Sequence, residues 1–331
     1  MSLVYALFIV TLAKFYSFKP AGLGCKVISI GNITWGGTGK TPLVEAVVKA
    51  LKADNRNPAV LTRGYKKKPS ANAQDARSDV RSMGDEPYML SQKLPGTAVI
   101  VNKDRIKAGL QAVKAHRADT VVLDDGLQQW RIKKDLEIVA IDVGNPFGNG
   151  WLIPRGILRE PLRALKRADI FVLTNADTAG DLAGLESRLS VINPSALIVR
   201  SELVPVRLYG LNDREKDYTH ELQQGKPVGL LCAIGNPGSF RRAVERMDIK
   251  AAQRFFFRDH HAYTYKDIQA IADKTRQCNI EYVITTEKDA DKLRPLVQML
   301  KTPQFLVLEV ALKIVNNESE FNNRLRGLYT A

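Results

Sequence analysis

The stretch from Val27 to Ala50 constrains the fold more than any other part of the chain. A β-branched run, Val27-Ile28-Ser29-Ile30, leads into Gly31-Asn32-Ile33-Thr34-Trp35-Gly36-Gly37-Thr38-Gly39-Lys40-Thr41, and a helical pattern follows. Strand, glycine loop and helix in this order form a P-loop, which binds nucleotide phosphates. Backbone N–H groups of Thr34, Gly36, Gly37, Thr38 and Gly39 can converge on phosphate oxygens, helped by the partial charge of the helix N-terminus. Lys40 reaches the β- and γ-phosphates, and the Thr41 hydroxyl suits Mg²⁺. Pro42 is harmless in the first helical turn, where its missing N–H would be unpaired anyway. Leu43, Val44, Val47, Val48 and Leu51 then give the helix an apolar face. Thr34 stands where the consensus has its first glycine. The loop leaves the phosphate acceptor open, since ATPases, GTPases and kinases share it.

A chain of 331 residues suits two domains, and 45% apolar with 25% charged residues is ordinary for globular proteins. Cys25, Cys232 and Cys278 are scattered, without disulfide or metal spacing, which fits a reducing cytosol. The net charge of +14 suits nucleic acid, an anionic membrane or a phosphorylated substrate. Nucleic acid ranks last, because no recognised module appears and the basic residues are spread out. Lys66-Lys67-Lys68 reads as a solvated loop before it reads as a binding patch.

The N-terminus favours the membrane. Leu3 to Ala13 carries no charge, Lys14, Phe15, Tyr16, Phe18 and Lys19 follow, and Pro20 ends the segment. A membrane span needs roughly 20 apolar residues, so this stretch is short. It also lacks the positive start of a signal peptide. An interfacial helix fits, with aromatic and lysine side chains at headgroup level. The alternative is a helix buried against the domain.

Farther on, β-branched runs alternate with helical stretches, the pattern of a parallel sheet covered by helices. Strands are predicted at 27–30, 59–61, 99–101, 120–123, 138–141, 170–173 and 197–199. The pattern changes over 204–225, read as a linker with a strand pair. A second α/β unit follows, with strands at 228–233, 282–285 and 305–308 and helices at 239–247 and 265–277. The expected domains are an N-terminal interface helix (1–20), a P-loop domain (21–203), the linker (204–225) and a smaller α/β domain (226–331).

Ligands in such sheets sit beyond the carboxyl ends of the strands. Val121-Val122-Leu123-Asp124-Asp125 has the form of a Walker B strand, whose acids serve Mg²⁺. Adjacent carboxylates repel unless a cation is near, and Gln128 follows within a turn. In Met83-Gly84-Asp85-Glu86-Pro87, the acids either complement a helix start or supply Asp85 as a base. A kinase needs such a carboxylate for the hydroxyl proton, because metal occupies the Walker acids. Arg63 follows a strand in Thr62-Arg63-Gly64-Tyr65, and Arg155 with Arg159-Glu160-Pro161 forms a second basic cluster. His260 lies in Arg258-Asp259-His260-His261, in the second domain. It is either structural or brought to Asp85 by closure. Thr285-Thr286-Glu287-Lys288-Asp289 differs in order from the guanine-reading N-K-x-D, which disfavours a GTPase. Thr286 to Asp289 is expected to contact nucleotide instead.

Together, GNITWGGTGKTP, TRGY, GDEP, DDGLQ, LREP, the DHH segment and TTEKD, in this order, resemble the tetraacyldisaccharide 4'-kinase family. The resemblance runs from about Leu3 to Asp289. It implies two Rossmann-like α/β/α domains joined by a short β linker, on the cytoplasmic face of the inner membrane, peripheral or N-terminally anchored. It implies transfer of the ATP γ-phosphate to the 4'-hydroxyl of a tetraacylated glucosamine disaccharide 1-phosphate, giving lipid IVA. By motif, Lys40 and Thr41 serve ATP and Mg²⁺, and Asp124 and Asp125 are the Walker B acids. Asp85 is the base, paired with His260 and assisted by Glu86. Asn32, Arg63, Tyr65, Gln128, Arg159 and Glu160 line the substrate and phosphate site. Leu127, Ile157 and Arg258 depart from the family pattern without removing a polar group. A monomer is expected, with no nucleic-acid partner. The competing class is a membrane-associated P-loop NTPase switch, which has no need of a spare base.

Overall fold

The computed structural model describes residues 2–63, 83–177, 180–298, 300 and 302–330. Tyr65 and the lysine triplet Lys66 to Lys68 lie outside them. The chain divides into two compact units, Met1–Glu202 with Leu312–Ala331, and Leu203–Ala311.

The first unit begins with helix α1 (Ser2–Ser17) and strand β1 (Lys26–Gly31). Then come α2 (Lys40–Ala53), β2 (Pro58–Thr62), α3 (Asp85–Lys93), β3 (Ala98–Val101), α4 (Arg105–His116) and β4 (Thr120–Asp124). β5 (Leu136–Asp142), a 3-10 turn (Leu162–Arg167), β6 (Ile170–Thr174), α5 (Leu182–Ile192) and the start of β7 (Leu197–Gly210) follow. The strands run in the order β7-β6-β5-β1-β4-β2-β3, and every pairing is parallel. All five residues of β2, β4 and β6 are buried, as expected of strands covered on both faces. Strand alternation sends Ile28, Ile30 and Val122 to one core and Val27, Val121 and Leu123 to another. The apolar stripe read in α2, from Leu43 to Leu51, packs into the first of these cores.

The second unit takes up the rest of β7, then β8 (Asp213–Asp217), α6 (Thr219–Gln223), β9 (Val228–Cys232) and α7 (Pro237–Glu245). It continues with β10 (Ala251–Phe256), α8 (Tyr265–Gln277), β11 (Tyr282–Thr286), α9 (Glu287–Val297) and β12 (Gln304–Ile314). β9 pairs in parallel with β10 and β11, and β11 with β12. The strand pair expected within 204–225 is the antiparallel β7–β8 pairing.

The division differs from the expected one at the C-terminus. Residues from Leu312 onward, read as part of the smaller domain, return to the first unit. There α10 (Glu318–Arg326) buries Phe321 and Leu325 in the core that holds Ile28 and Leu43. Tyr329 adds a 2.6 Å hydroxyl contact with Thr120 and lies under the Arg56 guanidinium.

One face of helix α1 is half-buried, at Tyr5, Ile9, Leu12 and Ala13, while Leu7, Phe8 and Phe15, with Phe18 just beyond the helix, are exposed. Among the described residues, no helix is long and apolar enough to cross a membrane.

Candidate active site

The carboxyl ends of β1 and β4 meet in register, with Ile30 opposite Asp124. The backbone between β1 and α2 is the glycine loop. Positive φ falls on Gly36 (124°) and Gly39 (71°), and Gly39 starts α2. Thr34 is in an antiparallel bridge with Leu158 and does not have positive φ, so its position does not need a glycine. Gly31 is required for another reason, because a Cβ there would stand 2.4 Å from the Leu127 nitrogen. Segment 157–159 braces the loop: Trp35 N donates to Ile157 O (2.7 Å) and Arg159 N to Ile33 O (2.8 Å). From the other side, the Thr174 hydroxyl donates to Thr38 O at 3.0 Å.

Several predicted polar groups meet here. Lys40 Nζ donates to Asn32 Oδ1 (3.0 Å) and lies 3.6 Å from Asp125. Arg159 donates to both Asp125 oxygens at 2.8 Å and to Gln128 Oε1 at 3.3 Å. Gln128 in turn donates to Asn32 O (3.3 Å) and Glu160 (3.0 Å). Glu160 is buried, and both of its carboxylate oxygens accept from Arg167 Nη2 at 2.9 Å. It therefore anchors Gln128 from beneath. Lys134 holds the turn after the Walker acids, donating to Gly126 O at 2.7 Å and pairing with Glu137.

The two Walker acids differ. Asp124 is buried, and burial, with the charges of Glu86 and Asp125, pushes its carboxyl up to about 6 against Lys40 and Thr62. Burial would also raise Asp125, but Lys40 and Arg159 outweigh it and hold the carboxyl below its usual range. A buried carboxylate with raised pKa beside a second acid, with the Thr41 hydroxyl at the helix start, is a donor set that favours a hard divalent cation. No cluster of three or more His, Cys, Asp or Glu that could hold a metal occurs among the described residues. A Mg²⁺ ion held by these residues would take its remaining ligands from phosphate and water, its usual partners.

Asp85 and Glu86 occupy the first turn of α3, where the helix dipole favours negative charge. Glu86 also acts electrostatically on Asp124, which places it by the Walker strand. Arg63 follows β2 and is exposed. Sequence reading missed Arg105. Its side chain is buried, donates to Asn102 O (2.6 Å) and lies 3.4 Å from Asp124 O, and its Nε has no hydrogen-bond partner among the described residues. Burial lowers it to about 10 against the pull of Asp124 and Asp125. Only its position at the start of α4, just beyond β3, could have marked it.

In the second unit, His260 has a left-handed backbone (φ 61°), and its N–H donates to Ala233 O at 3.2 Å. Its Nε2 is 3.4 Å from Lys288 Nζ, which also reaches Asp259 at 3.2 Å. His261 is structural: it bonds Asp267 at 3.1 Å and stacks on Phe257. The Thr286-to-Asp289 segment holds α9 in place. Thr286 caps the helix, and buried Asp289 accepts from Ala233 N at 2.9 Å.

A parallel α/β unit with a phosphate loop, a Walker strand and an added carboxylate at the same sheet edge defines a P-loop phosphotransferase. A profile of the family described as tetraacyldisaccharide-1-P 4'-kinase matches residues 1–330, and the chain belongs to that family. It is accordingly a kinase. Tetraacyldisaccharide 4'-kinase of Halothermothrix orenii is 37% identical over 89% of this chain and 82% of its own. The Syntrophus aciditrophicus protein of the same name is 36% identical over 94% and 88%. The fold is similar to that of LpxK from Aquifex aeolicus, crystallised in complex with ATP, with a TM-score of 0.76 and 25% identity, covering 99% of this chain and 97% of that one.

Proposed function

We propose that the protein transfers the γ-phosphate of ATP to the 4'-hydroxyl of a tetraacylated glucosamine disaccharide 1-phosphate, giving lipid IVA, at the cytoplasmic surface of the inner membrane. The observation that carries this reading is the convergence of Lys40, Asn32, Asp125, Arg159 and Gln128 on one phosphate loop. In the transfer, the 4'-oxygen attacks the γ-phosphorus. The bond from that phosphorus to the bridging oxygen breaks, and ADP leaves with its electron pair. The hydroxyl proton passes to the Asp85 carboxylate. His260 is assigned as the partner of that carboxylate, and Glu86 assists.

Lys40 and the loop amides of Thr34, Gly36, Gly37, Thr38 and Gly39 hold the phosphates, and Lys40 leaves Asn32 and Asp125 to do so. Arg159 and Arg63 steady the transferring group, while Gln128, seated on Glu160, orients the acceptor with Asn32 and Tyr65. Thr41, Asp124 and Asp125 would hold Mg²⁺, which neutralises charge on the β- and γ-phosphates when bound. The exposed face of α1 attaches the enzyme to the bilayer that holds its acyl-bearing substrate. The enzyme works as a monomer.

Purified protein, labelled ATP and the disaccharide lipid in detergent micelles test the reading. Lipid-dependent transfer is expected. Steady ATP hydrolysis without transfer would point to the switch instead.

A further inference from the structure

Three consecutive residues link parts of the first unit that have no obvious common purpose. Ile157 accepts the Trp35 N–H of the phosphate loop, and Leu158 pairs with Thr34 and donates to Trp151 O. Arg159 O accepts the Tyr5 hydroxyl of α1 at 3.1 Å. The phosphate loop, the Trp151 loop and the apolar helix therefore flank one short segment.

Each contributes exposed apolar surface. Leu7, Phe15 and Phe18 of the α1 region are 72%, 73% and 91% exposed. Trp35 is 63% exposed on the phosphate loop, and Trp151 is 45% exposed with the Arg155 guanidinium 3.8 Å over its ring. A tryptophan on a nucleotide-binding loop normally costs solubility unless something covers it. Basic groups accompany the aromatics: Lys14, Lys19 and Arg131 line a groove of about 640 Å³ with Phe15 and Phe18. Indole rings beside cationic groups have the composition of a membrane–water boundary, with anionic headgroups as the complement. An isolated apolar segment too short to span gives weak binding, and stable attachment takes a second element.

We infer that the membrane contact is two-part: α1 together with an aromatic pair, Trp35 on the phosphate loop and Trp151 on its neighbour, both seated at the headgroup level of an anionic bilayer. Arg155 meets lipid phosphate beside Trp151. The inference rests on the membrane attachment proposed above and adds that the mouth of the phosphate loop itself touches lipid. The acceptor hydroxyl then needs little lift from the bilayer to reach the loop.

The chain has three tryptophans, Trp35, Trp130 and Trp151, so fluorescence can report each site. W130F/W151F leaves Trp35 as the reporter, and W35F/W130F leaves Trp151. Vesicles of phosphatidylglycerol and phosphatidylcholine brominated near the glycerol end of the acyl chain should quench both, and bromination deep in the chain should quench them less. W35A/W151A should bind vesicles about tenfold more weakly, as expected when two half-buried rings are lost. Phe8→Trp in a background with all three tryptophans changed to Phe reports α1 separately. Quenching at position 8 with none at Trp35 overturns the two-part contact and leaves the helix anchor standing. No quenching at any position, with no sedimentation on vesicles, overturns the anchor as well. A Trp35 response that appears only when the disaccharide lipid is in the vesicle makes it a sugar platform and overturns the inference. If W130F does not fold, the difference between the parent and W35F gives the Trp35 signal.

Discussion

Asp124 makes stability depend on pH at a single side chain. Its unfolded value is near 3.8 and its folded value is about 6, so the folded state holds the proton more tightly. That contribution is fully present below 3.8 and is lost as pH rises through about 6. Urea melts in cation-free buffer at neutral pH should therefore find Asp124→Asn more stable than the parent by roughly 3 kcal/mol, with less dependence on pH below that point. The same variant should lose phosphate transfer. Asp85→Ala should lower the transfer rate by about a hundredfold or more, the range of general-base loss, with ATP affinity by calorimetry nearly unchanged. Full activity would remove Asp85 from the base role. Lys288→Met should lower kcat while leaving the KM for ATP alone, and Lys288→Arg should recover part of it, because Lys288 fixes the neighbourhood of His260. Most of these groups were legible because they stand in short motifs at strand ends. Arg105 was not, because its importance comes from burial beneath the Walker strand, which only the tertiary fold creates.

The elements that escaped sequence reading have weak apolar signals. β10 (Ala-Ala-Gln-Arg-Phe-Phe) lies at the end of the strand order and alternates between half-buried and exposed residues, so it shows no continuous apolar run. α9 carries Pro295 and six charged residues among eleven, yet it is fixed by the Thr286 cap and the Asp289 contact with β9. α10 offers only Phe321 and Leu325 as buried anchors within Glu-Ser-Glu-Phe-Asn-Asn-Arg-Leu-Arg. Among the strands read correctly, β1, β2, β4 and β6 are almost wholly buried, and there a run of β-branched residues has few alternatives. Phe321→Ala should destabilise the first unit by about 3 kcal/mol or more. Hydrogen exchange should show the loss in β1 and α2, although these lie near the opposite end of the chain. A loss confined to the C-terminal residues would contradict that packing.

At the scale of the whole molecule, the proposed membrane attachment combines a net charge of +14 with an exposed apolar helix. Basic groups near an anionic leaflet add about 1 kcal/mol each, and salt screens them within a Debye length of about 10 Å. Binding to anionic vesicles should fall steeply as salt is raised, and deletion of residues 1–18 should release the protein into the supernatant. Unchanged sedimentation of that deletion would sink the anchor. The return of Leu312–Ala331 to the first unit has a further consequence, for biosynthesis. Domains usually fold in the order of their synthesis, N-terminal first. Here the stretch Leu203–Ala311 is complete while the core around β1 still lacks Phe321 and Leu325. The later-made unit can therefore finish folding first, and the nucleotide-binding unit completes its core only after Phe321 and Leu325 have been made. A nascent chain stalled before Phe321 would carry the exposed apolar helix α1 and an unfinished core beneath the phosphate loop, so it would meet the membrane before it could act as a kinase.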